Sequence, residues 1–109
     1  MLISKTPYRI SFFGGGTDYP FWYKKYGGEV ISTTIDKYIY LTCRHLPEFF
    51  DHKYRIVYSK IELAKNTNQI KHIVVRKLLK HMKFREGIEV HYDGDLPAQS
   101  GMGSSSSFI

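Results

Sequence analysis

Residues 69–83, QIKHIVVRKLLKHMK, narrow the fold most: here apolar residues recur at helical spacing, between flanking runs that alternate with a period of two. Ile70, Ile73, Val74, Leu78 and Met82 make one apolar stripe, with Lys71, Lys77, Lys80 and Lys83 among the solvent residues. A helix with one apolar face needs a partner surface, and the neighbouring segments read as strands. Residues 2–13 contain the β-branched and aromatic run YRISFF. EVISTTI and KYIYLTCR follow as two strands; in the second, Tyr38, Tyr40 and Thr42 point one way and Ile39, Leu41 and Cys43 the other. YRIVYS and GIEVHYDG are two more, the last with Ile88, Val90 and Tyr92 on one face.

Between these runs, GGGTDYPFWYKKYGG reads as a short helix with Asp18 as N-cap, Pro20 in the first turn and Gly27 as the stop. Residues 46–53 read as a loop. Ser59 and Glu62 have capping-box spacing, which predicts a short helix over residues 61–65 broken by Asn-Thr-Asn. The order of strands and helices predicts an α+β or mixed α/β domain.

The chain has 109 residues, enough for one modest domain, and 42% apolar residues, enough for a core. One cysteine, Cys43, excludes an internal disulfide, and the five histidines show no metal-ligand spacing with it. No apolar run reaches the length of a membrane span, and Arg9 interrupts the apolar amino end, so no targeting segment is read. A net charge of +6 admits an anionic partner: nucleic acid, an anionic membrane or a phosphorylated small molecule. The basic residues are scattered, and the lysines of residues 71–83 read as a solvated helix face rather than a nucleic-acid patch.

Two segments carry chemistry. The first is GMGSSSS, at residues 101–107. Small residues let a backbone approach a ligand closely, and amides at the start of a helix hold phosphate. Serine hydroxyls can bond phosphate oxygens or occupy a Mg²⁺ position. A Gly/Ser linker has the same composition, although the preceding strand and the Leu96-Pro97 entry favour a phosphate loop. No lysine follows the second glycine, which excludes the NTPase P-loop, and Ser106 stands where a dinucleotide fingerprint needs Gly or Ala. The second segment is PYRISFFGGGTDY. An arginine there can stabilise a phosphoryl group in transfer, and Asp18 can accept hydrogen bonds from sugar hydroxyls. Read singly, Arg9 is also an edge-strand charge, Asp18 an N-cap and Gly14–Gly16 a plain turn.

Together the segments resemble the GHMP kinases, the family named for galactokinase, homoserine kinase, mevalonate kinase and phosphomevalonate kinase. Galactokinases carry Pro-Gly-Arg, Gly-Glu-His and Thr-Asp-Tyr; Pro7, Arg9, Gly14, Thr17, Asp18 and Tyr19 match at the same spacing. PAQSGMGSSSS matches the second family pattern, with Met102 in place of Leu. Gly15 and Gly16 replace the galactokinase Glu-His, which makes galactose a poor candidate. The wider stretch looks most like the bacterial branch that phosphorylates the anomeric oxygen of D-glycero-D-manno-heptose 7-phosphate, with L-fucokinase-type enzymes as close competitors. TTIDKY is similar to that branch, but Asp36 and Lys37 read more simply as a strand-end charge pair.

The resemblance implies a two-layer α+β domain with the ribosomal-protein-type left-handed βαβ crossover, occupying residues 1–109 as a truncated amino-terminal part. It implies ATP and Mg²⁺ as cofactors and a sugar phosphate as substrate, in the cytoplasm, without nucleic acid or membrane; homodimerisation is left open. ATP would be bound by Pro97, Gly101, Met102, Gly103, Ser104, Ser105 and Ser106, with Ser105 on Mg²⁺ and Ser104 and Ser106 on phosphate oxygens. The sugar would contact Gly14, Gly15, Gly16, Thr17 and Asp18, and Arg9 would be catalytic through charge stabilisation. The family's catalytic aspartate and acidic Mg²⁺ partner would lie beyond residue 109, so the chain alone is expected to be inactive. A non-catalytic remnant or anion-binding module is the alternative.

Overall fold

The computed structural model describes residues 1–97, 100–101 and 107–109. The chain runs β1 (Leu2–Phe13), a 3-10 turn (Gly15–Asp18), α1 (Pro20–Tyr26), β2 (Ile31–His45), β3 (Tyr54–Val57) and β4 (Ile61–Ala64). A second 3-10 turn (Thr67–Gln69), α2 (Ile73–His81) and β5 (Ile88–Gly94) complete it. The strands form one mixed sheet in the order β1-β2-β5-β3-β4. Neighbours are antiparallel except β3 and β5, which run parallel. Parallel neighbours need a crossover, and β4 with α2 provides it. The expected α+β class is borne out. Among the described residues no helix is long and apolar enough to cross a membrane.

One sheet face carries the core. Tyr54 and Ile56 of β3, Ala64 of β4 and Val90 of β5 pack with Ile70, Val75 and Leu79. Leu41, Cys43, Ile88 and Phe108 extend the cluster. The alternation predicted for β2 and β5 places these residues correctly, because side chains two apart share a face.

Several expectations are corrected. The helix predicted over residues 69–83 is shorter, Ile73–His81, and its buried positions are Val75 and Leu79. Ile73 and Met82 of the predicted stripe are exposed. The Val-Val and Leu-Leu pairs offer two adjacent phases of the same helical period, and packing against β3 and β5 selects the second. EVISTTI and KYIYLTCR form one strand, not two. They are joined at a bulge: Pro7 faces Tyr38 and Arg9 faces Thr34, so Tyr8 lies opposite residues 35–37. Asp18 is not an N-cap; Tyr19 holds that position in α1, while Pro20 and Gly27 stand at its two ends as expected.

The predicted helix over residues 61–65 is strand β4, paired antiparallel with β3. Pairing with β3 overrides the capping-box spacing. Glu62 serves a different helix: its carboxylate accepts from the Tyr58 hydroxyl and from the amides of Lys71 (2.7 Å) and His72 (3.4 Å), at the start of α2. Burial by itself raises the Glu62 pKa, but these hydrogen bonds and the nearby His72 lower it overall. Glu62→Ala is expected to destabilise the intact protein by about 1–2 kcal/mol, measured by denaturant unfolding, because the helix-start amides lose their acceptor.

Candidate functional site

The first motif sits in the turn after β1. Gly14 has φ 89°, and its carbonyl accepts from the Thr17 amide (2.9 Å) and the Thr17 hydroxyl (2.7 Å). That hydroxyl also lies 3.3 Å from the Glu29 carbonyl. A Cβ on Gly28 would stand 3.0 Å from Thr17, so the turn is clamped against residues 28 and 29. Thr17 therefore has a structural duty beside any contact with a ligand. Asp18 is exposed and lines a cavity of about 370 Å³ with Thr17, Tyr23, Gly28 and Val30. Gly15 and Gly16 face open space: an added Cβ would meet nothing within 4 Å. Above this turn α1 buries none of its residues, and Phe21, Trp22, Tyr23 and Tyr26 stay exposed.

The second motif leaves the end of β5. Pro97 and Gly101 are described, Gly101 with φ 74°. Met102, Gly103, Ser104, Ser105 and Ser106 lie outside the described residues. The Ser100 Oγ is buried and has no hydrogen-bond partner among the described residues.

Both flanks of this loop are tied to β1. The Tyr8 hydroxyl donates to the Leu96 carbonyl at 3.1 Å. The Ser107 hydroxyl donates to the Pro7 carbonyl at 3.1 Å. Asp95 adds two bonds to β2: its amide donates to the Tyr38 carbonyl (3.0 Å), and its carboxylate accepts from the Tyr38 amide (2.7 Å). Phe108 continues the anchoring, its ring 5.3 Å from His72 and 5.5 Å from Tyr92. Leu96 and Ser107, 88 and 100 residues from their partners, are thus held at Tyr8 and Pro7, next in sequence to the exposed Arg9.

Sequence reasoning missed two features. Tyr8 is wholly buried between half-buried Pro7 and exposed Arg9 in β1. Its one signal was the replacement of glycine in the family's Pro-Gly-Arg pattern. The other is Glu89, 4% exposed, on the sheet face opposite α2. Its carboxylate binds Arg44 (2.7 and 3.2 Å), Arg55 (2.7 Å) and His91. Arg44 and Arg55 occupy the positions facing Glu89 on the two adjoining strands. Part of the positive charge is thereby neutralised within the sheet.

The five-stranded sheet and its β4–α2 crossover form a fold that solved GHMP kinases share. Residues 68–109, which include the second motif but not the first, match the family model described as GHMP kinases N terminal domain, in line with the resemblance. Among curated proteins, the chain is 29% identical over 115 residues to D-glycero-alpha-D-manno-heptose 7-phosphate kinase of Campylobacter jejuni subsp. jejuni serotype O:2, covering 97% of this chain and 34% of that protein. Among solved structures, a D-glycero-D-manno-heptose 1-phosphate kinase from Bacteriodes thetaiotaomicron superposes with TM-score 0.76 at 23% identity, over 96% of this chain and 38% of that one. A mevalonate kinase superposes with TM-score 0.67 at 18% identity, over 98% and 37% of the two chains. These structural likenesses define the fold. The chain spans about a third of the length of the curated relative.

Proposed function

We propose that residues 1–109 are the amino-terminal domain of an ATP-dependent sugar kinase that phosphorylates the anomeric hydroxyl of D-glycero-D-manno-heptose 7-phosphate, in the cytoplasm. The observation that carries this reading is the pair of hydrogen bonds that tie both flanks of the glycine-serine segment to Pro7 and Tyr8, next to Arg9. A segment suited to phosphate and an arginine suited to a phosphoryl group in transfer serve a kinase when they are held close together. The named relative supports the heptose over L-fucose or galactose.

The loop fits a nucleotide's phosphates on two counts. Ser100 presents a buried hydroxyl without a partner among the described residues, and Gly101 keeps a backbone conformation that needs no side chain. Ser104 and Ser106 would bond phosphate oxygens, and Ser105 would hold Mg²⁺, whose charge offsets that of the phosphates. Pro97, Gly101, Met102 and Gly103 would shape the loop. Asp18 would accept from sugar hydroxyls beside Gly14, Gly15, Gly16 and Thr17, and Arg9 would stabilise charge on the transferred group.

The test is an ATP-dependent phosphorylation assay of the intact protein against the heptose 7-phosphate, L-fucose and D-galactose. Turnover of the heptose phosphate is expected to dominate; turnover of none of the three would overturn the reading. Asp18→Asn is expected to raise the sugar KM about tenfold with the Mg-ATP KM unchanged, the loss of roughly one charge-assisted hydrogen bond. The 109-residue chain by itself is expected to show no robust turnover.

A further inference from the structure

We infer that Tyr8 is a positioning residue, a hydroxyl latch that holds the entrance of the phosphate loop against the first-motif strand and so tunes nucleotide affinity. This rests on the reading of residues 101–106 as the nucleotide loop.

Tyr8 is 0% exposed, and its hydroxyl reaches the Leu96 carbonyl, the last residue before Pro97. Tyr8 stands opposite the β1–β2 bulge, where the extra residues 35–37 belong to β2 and Tyr8 keeps the alternation of its own strand. A second hydroxyl adjoins it. The Tyr92 ionisation is pushed up to about 12 by burial first, then by hydrogen bonding to Tyr8 and by the Tyr8 charge. Both hydroxyls press on bare backbone: a Cβ on Gly94 would lie 2.7 Å from the Tyr8 Oη, 3.1 Å from the Tyr92 Oη and 3.3 Å from the Leu96 carbonyl. Gly94 is therefore required where the two tyrosines and the loop entrance meet. Asp95, one residue on, is bonded to Tyr38, so adjacent strands hold consecutive residues of the entrance. With Ser107 fastened to Pro7, β1 controls the spacing of the loop's two ends. The galactokinase pattern has glycine at this position, which leaves no side chain to make the bond.

The experiment is Tyr8→Phe in the intact protein, which removes one oxygen and keeps the ring. Amide hydrogen exchange is expected to quicken about tenfold over residues 95–101, with β3, β4 and α2 unchanged. The Mg-ATP KM is expected to rise about five- to tenfold, with kcat within about twofold and the sugar KM unchanged. Gly94→Ala, which crowds both hydroxyls, is expected to give the same local exchange signature. Unchanged exchange in Tyr8→Phe, faster exchange across the whole sheet, or a rise in the sugar KM instead would each overturn the latch. The two readings fail separately. Wild-type turnover with a silent Tyr8→Phe sinks the latch alone. Absence of sugar turnover, with a Mg-ATP-induced rise in melting temperature that Tyr8→Phe diminishes, sinks the sugar-kinase reading and leaves the latch standing.

Discussion

Gly14→Ala is expected to destabilise the intact protein by about 3 kcal/mol or more, while Gly15→Ala and Gly16→Ala shift stability by less than about 1 kcal/mol. The three glycines are consecutive, so composition and turn propensity treat them alike. Their surroundings do not. Gly14 has φ 89°, and a Cβ there would stand 1.9 Å from the Glu29 carbonyl oxygen. The left-handed conformation alone costs a non-glycine residue about 1–2 kcal/mol, and the clash requires moving the backbone that Thr17 clamps. Gly15 and Gly16 lie in the 3-10 turn, outside the left-handed region, with nothing within 4 Å of an added Cβ. Alanine there restricts the unfolded chain and leaves the folded one unstrained. Chemical denaturation of the three variants is the check; equal losses would refute the assignment. The fold thus needs one glycine of the three.

Glu89→Gln is expected to cost about 2–3 kcal/mol at neutral pH, and the gap between variant and wild type is expected to shrink by more than half by pH 3. Burial by itself would raise the Glu89 pKa. The His91 hydrogen bond, the Arg44 hydrogen bond and charge, and the Arg55 charge more than offset this and bring it from 4.5 down to about 2. A group whose folded pKa is depressed adds stability that is fully present above its unfolded pKa, here about 4.5, and lost as pH falls toward 2. At about 1.4 kcal/mol per unit this sets a ceiling of ~3 kcal/mol, reduced somewhat because Arg44 and Arg55 still reach water. Unfolding curves of both proteins at pH 7 and pH 3 decide it. A gap of the same size at both would assign the loss to packing instead of charge.

How much of this was legible in advance depends on how far apart the interacting groups lie. The glycine turn, Pro20 at the start of α1 and Gly27 at its end were readable, because each follows from the sterics of a few adjacent residues. The β2 and β5 alternation was readable for the same reason. The face of α2 was not. Val74 with Leu78 and Val75 with Leu79 are both spaced four apart, and only the sheet beneath distinguishes them. β4 was misread because Ser59 and Glu62 satisfy a local helix signal, while the ladder to β3 and the amides of residues 71 and 72 lie outside that window.

The sequence alone determined the two motifs, their order and spacing, and the α+β class, since these depend on residue identity and short-range backbone preference. The tertiary structure decided what each group is used for. Glu89 alternates outward on β5 like any surface carboxylate, and it becomes buried because Arg55, 34 residues away, and Arg44, 45 residues away, fold over it. Tyr8 reads as one more aromatic in a strand, and it becomes a tie to the segment after β5 because the sheet brings Leu96, 88 residues on, within 3.1 Å of its hydroxyl. Such pairings are set by which strands become neighbours, and no local pattern encodes that.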